Sequence, residues 1–293
     1  MMSEPPTITS TMTTMMRFVR VDSVIGCGLR TVATGRRLAC PHGRVCAAPY
    51  KASASTRPAK VTHMDRLRAV LIGSGPRLGL VAVTLVALAA VVTALAYVGA
   101  DGEPYSPLNH TVSELGEVAV SELAATFNAA LIIGGLLIAV SMLGLGLQAG
   151  SRAGRLSASL GVAAGIALAS VGLFPADDFD SHKAAASAAF ILVTLAAASF
   201  SWWIGRGGSG YSPSLAVLSV LVVAAMVAFL VLPGIVQPEY TFAVEFDPDP
   251  PPRPDIWLAA ALEWAVLVTA LVWIAMLSYL TPKRSKAPKA ERQ

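Results

Sequence analysis

The chain has 293 residues, 55% of them hydrophobic and only 14% charged, with a mean hydropathy of +0.63. A water-soluble domain carries about a quarter charged residues, so a chain this poor in charge lacks the polar surface to cover a soluble globule. The net charge of +4 does not indicate a nucleic-acid partner, because the basic residues are placed as a membrane protein places them.

In chain order, residues 1–76 come first. They are rich in Thr, Ser, Arg and Ala, and up to about Val61 they hold no sustained apolar period and no apolar stretch ahead of a cleavage site. This reads as a disordered basic cytoplasmic tail rather than a secretory signal. Met64-Asp-Arg-Leu-Arg before the first apolar run resembles an ordinary membrane-protein start, and Met64 is expected to be the true start. Cys27, Cys40 and Cys46 all lie in this tail. No second cysteine pair has zinc-finger spacing, so they read as incidental thiols on a reducing side.

Six runs nearly free of charge follow: Leu78–Ala100, Leu123–Ser151, Leu156–Ala176, Ala184–Gly205, Gly207–Pro238 and Ile256–Pro282. Roughly 20 apolar residues cross a bilayer as a helix. A helix satisfies its own backbone in hydrocarbon, and the runs lack the period-two alternation of a barrel strand. The fold class is therefore all-α: an integral membrane bundle of six transmembrane helices over residues 77–281, followed by a basic tail over 282–293. Twenty of the 22 Lys and Arg residues fall on one side of these spans, whereas 13 of the 18 acidic residues fall in the three opposite loops. The positive-inside bias then places both termini in the cytoplasm. The Ala-, Val- and Gly-rich composition suggests a GC-rich bacterium, and hence the plasma membrane.

The three acidic outer loops hold the candidate chemistry. In the first, Thr111 and Glu114 have the spacing of a capping box, and Val112, Leu115 and Ala119 fit one face of a short interfacial helix. Capping does not explain His110, which keeps more functional weight. The second loop places Asp177, Asp178, Asp180 and His182 within six residues. Carboxylates and imidazole can surround a divalent cation, although Asp177 and Asp178 also suit the dipole of the next helix, with Asp180 or Ser181 as its cap. The third loop contains Asp247-Pro-Asp-Pro-Pro-Pro-Arg-Pro254, a stiff polyproline stretch that reads as a spacer or, alternatively, a lid.

Glu263 is the one ionisable residue inside a span, about 10 Å into its helix. Such a carboxylate must face other helices, with Asn128 or Ser170 as hydrogen-bond partners or with a role as a titrating group. Gly134-Gly135 and Gly161-Val-Ala-Ala-Gly165 permit close helix approach. Trp202, Trp203 and Trp257 lie near span ends, where aromatic belts form.

Several of these residues carry a resemblance. Tyr105-Ser-Pro…His110-Thr-Val-Ser113-Glu-Leu-Gly116 and Phe174-Pro-Ala-Asp177…His182 resemble the bacterial six-span membrane proteins catalogued as domain of unknown function 998. Ala261-Leu-Glu263 sits where that family tends to carry an acidic residue. Ser113-Glu-Leu-Gly116 followed by Phe127 is similar, to a lesser degree, to the Frag/DRAM/Sfk group. The first resemblance covers roughly Arg77 to Thr281; it implies the architecture and no established reaction.

Three functions follow as expectations. The favoured one is a non-catalytic membrane protein that binds lipid or a partner, or assembles a complex, with a polar outward-facing site. The alternative is a metal-dependent hydrolase or transferase acting on a lipid or envelope substrate. There His110, Asp177 and His182 would hold zinc or manganese, and Glu263 or Asp178 would serve as general base. The third is a proton-coupled transporter titrating Glu263, which the lack of a clear internal repeat or broken helices argues against.

Overall fold

A computed structural model describes residues 62–99, 102–207, 209–240 and 252–282 of the chain. Residues 1–61 of the predicted tail, with its three cysteines, residues 247–251 of the proline-rich loop and the basic residues from Lys283 onward lie outside the described residues, whereas residues 63–76, expected as part of the disordered tail, are helical. The described residues form six α-helices: α1 (His63–Ala96), α2 (Ala124–Gln148), α3 (Arg152–Leu173), α4 (Phe179–Gly205), α5 (Pro213–Val236) and α6 (Leu258–Tyr279). Each is long and apolar enough to cross a membrane, and each lies on one of the six predicted runs.

The first helix departs most from its run. It begins at His63, well before Leu78, and continues through Pro76. Thr62 starts it with a reciprocal capping box: Asp65 N–H donates to Thr62 Oγ1 at 3.2 Å, and Thr62 N–H donates to the Asp65 carboxylate at 3.1 Å. The added turns bring Arg68 to the Leu147 carbonyl (3.0 Å) at the end of α2. Gln148 donates to the Pro282 carbonyl at 2.8 Å, so both ends of the described domain meet at this end of the bundle.

Short connections make α2 and α3, and α3 and α4, pack antiparallel. Each helix packs on the next, and α6 closes against α1, giving a ring of six. Between α2 and α3 the glycines bring backbone onto backbone. A Cβ at Gly135 would stand 2.5 Å from the Gly165 carbonyl oxygen, and one at Gly165 would stand 2.7 Å from Ala139 N. The packing role expected of these glycines is therefore seen.

At the end where the described termini meet, the middle of the ring is filled by large side chains. Phe200 stands edge-on to Trp273 at 5.6 Å between ring centres, and Trp203 edge-on to Tyr211 at 5.9 Å. Trp273 satisfies its indole N–H on Ser219 Oγ at 2.8 Å. Only Trp202 of the three expected belt tryptophans lies open on the surface; Trp203 and Trp257 are buried. Towards the other end the ring interior is lined by Ala164, Gly165, Ala186, Ala189 and Ala270, and these small residues leave a cavity. The described parts of the connections, residues 102–123, 174–178, 237–240 and 252–257, cap that end.

Candidate functional site

The cap is built from the α1–α2 connection. Gly102 turns the chain at φ +80°, a conformation glycine enters without steric cost, and the segment then descends into the mouth of the ring. Thr111 and Glu114 do form the predicted reciprocal pair: Thr111 N–H donates to Glu114 Oε1 at 2.9 Å, and Glu114 N–H donates to Thr111 Oγ1 at 3.3 Å. The expected interfacial helix, however, is a single 3-10 turn, Ser113–Gly116. Val112 and Leu115 are buried, while Ala119 is exposed. The turn stops because its next backbone groups are taken by distant side chains. Asn128 Nδ2 donates to the Gly116 carbonyl at 2.8 Å, and Asp177 accepts Val118 N–H at 2.7 Å and Ala119 N–H at 2.9 Å.

Glu114 is the hub of the cap. It is 2% exposed and accepts from Tyr97 Oη at 3.1 Å and twice from Arg253 Nη1 at 3.0 Å, in addition to Thr111. Arg253, from the segment before α6, also donates to the Asn109 carbonyl at 2.8 Å.

His110 is 1% exposed and packs against Tyr97 and Tyr105 at 5.3 and 5.1 Å between ring centres. Its Nδ1 lies 2.8 Å from Asn109 Oδ1 and 3.3 Å from Ser106 N. Its Nε2 makes no hydrogen bond and faces Glu103 Oε1 at 3.6 Å and Glu114 Oε2 at 4.0 Å. Burial holds the imidazole below its usual 6.5; Glu114 and Glu103 pull upward, and Arg253 adds to the lowering. The unfolded chain therefore binds a proton here more readily than the folded one. The stability His110 contributes is complete above about pH 6.5 and is lost as pH falls through its lower folded value. Glu117 is raised by burial, Asp177 and Glu114 and acts in the opposite sense, so a variant comparison is needed. Between pH 7.5 and 5, wild-type thermal stability is expected to fall more steeply than that of His110→Gln; parallel curves would show that His110 does not titrate on unfolding.

Asp178, not Asp180 or Ser181, caps α4, accepting Ser181 N–H at 3.4 Å. Asp177 is spent on the cap's backbone amides. Its loss in Asp177→Ala is expected to cost about 1–2 kcal/mol, in line with a charge-assisted hydrogen bond that is partly exposed. Amide exchange at Val118 and Ala119 should rise selectively.

The remaining predicted residues meet at the cavity. Glu263 does not pair with Asn128, which holds Gly116, or with Ser170, which donates to Ala167 O at 2.6 Å. Its carboxylate instead accepts Val112 N–H at 2.8 Å and Ser113 Oγ–H at 3.3 Å. His182, 6% exposed in the first turn of α4, lies with Nδ1 2.8 Å from the Phe174 carbonyl and Nε2 3.1 Å from Ser113 Oγ. Ser113, His182 and Glu263 thus form one connected group. Sequence reasoning gave Ser113 no role, since nothing local in the chain announces a partner in α4.

His110, Asp177 and His182 are not gathered into the predicted metal set. His110 faces Glu103 and Glu114, Asp177 binds backbone, and His182 binds Ser113. Among the described residues no three His, Cys, Asp or Glu side chains are placed to hold a metal ion together. Asp178 is a helix cap and lines neither of the cavities that reach Ser113, so of the two expected bases only Glu263 stands at the site.

The cavity has a volume of about 140 Å³. Along α6 it extends from Glu263 to Ile274, roughly 16 Å at the helical rise. Ser113, Asn128, His182 and Glu263 supply polar groups at its capped end, and side chains such as Phe127, Leu131, Leu168, Val266 and Trp273 wall the rest. A second cavity of about 90 Å³ shares Ser113, His182 and Glu263 and is lined further by Lys183, Ser187, Phe229 and Leu230.

A ring of six membrane-length helices, with a polar cap set into one end of an apolar cavity, defines a multi-pass membrane protein. The chain belongs to the DUF998 family: the family model, described as a protein of unknown function (DUF998), matches residues 81–280. That stretch takes in the cap, the cavity and Glu263, and it bears out the family expected from the loop motifs. No curated protein and no solved structure matches the chain.

Proposed function

We propose that this protein binds a membrane lipid within the bundle, one apolar chain lying in the cavity and the polar end meeting Ser113, His182 and Glu263. The observation that supports this is the joining of an apolar cavity to a compact polar group at one end. Apolar cavities stay dry and take apolar ligands, and ligand sites combine apolar walls with a few convergent polar groups. The charge asymmetry of the loops supports an orientation with the capped end outward and both termini in the cytoplasm of a plasma membrane.

The test is photocrosslinking in nanodiscs with a phospholipid carrying a diazirine near the end of one acyl chain. Crosslinks are expected on cavity residues such as Leu168 and Leu267 and should be strongly reduced in Ala270→Phe, which fills the cavity without touching the polar group. Crosslinks confined to the outer faces of the helices, or unchanged by Ala270→Phe, would overturn the reading.

A further inference from the structure

We propose that Ser113 and His182 are a nucleophile and its base, cleaving the acyl ester of a lipid seated in the cavity; this rests on the lipid-binding reading above. The tautomer follows from geometry. The Phe174 carbonyl can only accept, so the Nδ1 that stands 2.8 Å from it carries the hydrogen. The neutral ring then presents the Nε2 lone pair to Ser113 Oγ at 3.1 Å, and the single hydroxyl hydrogen, which also has Glu263 Oε1 within reach at 3.3 Å, turns to this nearer acceptor for the reaction. A hydroxyl, a base and a group orienting the base are the parts of a nucleophilic serine site. Here a main-chain carbonyl stands where such sites often hold a carboxylate.

The surroundings match a lipid ester in particular. Ser113 lies where the two cavities meet. The apolar one accommodates the acyl chain. The other is lined by Leu230, which is 58% exposed on the bundle surface, and by exposed Lys183. It provides a lateral entry and a cation for an anionic head group. The substrate class is a long-chain acyl ester bearing an anionic head group.

In the reaction, Ser113 Oγ attacks the ester carbonyl carbon and its proton passes to His182 Nε2. The bond to the alcohol oxygen then breaks, and that oxygen takes the proton from Nε2. The product is the acyl ester of Ser113 and the free alcohol. Water, giving its proton to Nε2, attacks this ester; the proton returns to Ser113 Oγ as the fatty acid leaves. No group is oxidised or reduced. Glu263 is a positioning residue: it holds the Val112 amide beside the nucleophile at 2.8 Å and keeps Oε1 3.3 Å from Ser113 Oγ.

The full chain in nanodiscs would be treated with an alkyl fluorophosphonate, which phosphonylates an activated serine with loss of fluoride, and the adduct mapped by peptide mass spectrometry. One adduct on Ser113 is expected in the wild type, forming at least about 100-fold more slowly in His182→Gln, the low end of what a general base contributes. No Ser113 adduct in wild-type protein that still shows cavity crosslinks would overturn the nucleophile while leaving lipid binding standing. Equal labelling rates in wild type and His182→Gln would overturn the pairing and make the hydrogen bond a fastening of the cap. Because the decisive adduct is read in the wild type, a variant that fails to fold does not protect the proposal.

Discussion

Replacing Glu114 by alanine is expected to lower stability by about 3 kcal/mol, the low end of the range found when one member of a buried charged pair is removed, because the Arg253 side chain is 38% exposed. The carboxylate is 2% exposed and serves three parts of the chain at once: Tyr97 at the end of α1, Thr111 ahead of the 3-10 turn, and Arg253 ahead of α6. Its removal takes the acceptor from a buried tyrosine hydroxyl and a buried amide, each costing about 1–3 kcal/mol when left without a partner. Arg253 loses both of its contacts to the carboxylate. Glu114→Gln retains an acceptor for Tyr97 and Thr111 but not the charge facing Arg253, so about half the loss is expected. Unfolding in detergent should rank wild type above Glu114→Gln and Glu114→Ala last, with faster amide exchange across 105–117. A loss below about 1 kcal/mol for the alanine variant would remove Glu114 from its place as the hub.

Gly135→Val is expected to be at least as damaging, by another route. A Cβ there would stand 2.5 Å from the Gly165 carbonyl oxygen and 2.6 Å from Ala169 N. These are backbone atoms of α3 and cannot turn aside as a flexible side chain would. The two helices must separate, forfeiting close contacts along their seam, and a cost of about 3 kcal/mol or more follows. Because α2 and α3 also wall the cavity, lipid crosslinking should fall together with stability. Gly73 in α1 is the control, since a Cβ there meets nothing within 4 Å. Gly73→Ala should gain about 0.5–1 kcal/mol from helix propensity. Thermal unfolding of the three proteins settles the comparison, and a Gly135→Val protein as stable as Gly73→Ala would contradict the backbone contact between α2 and α3.

The six helices and the family were legible in the amino-acid chain alone. Length, hydropathy and the need to satisfy backbone in hydrocarbon are properties of single segments, so each apolar run could be read without its neighbours. Gly135 and Gly165 were legible for the same reason, since small residues in apolar helices mark close approach. The Thr111–Glu114 pair was equally local, a contact across three residues. Such spacing states what one segment can do and leaves open which distant segment it meets. Glu263 reaches Val112 across 151 residues, Arg253 reaches Glu114 across 139, and Ser113 reaches His182 across 69. Those pairings exist because the ring closes α6 on α1 and draws the first connection into its mouth, which no period in the chain encodes. For the same reason, composition and spacing grouped His110, Asp177 and His182 by chemical type, while the fold spends Asp177 on backbone amides and buries His110 among tyrosines and carboxylates. Only the closed ring sets Ser113 at the meeting point of the His182 imidazole, the Glu263 carboxylate and an apolar cavity.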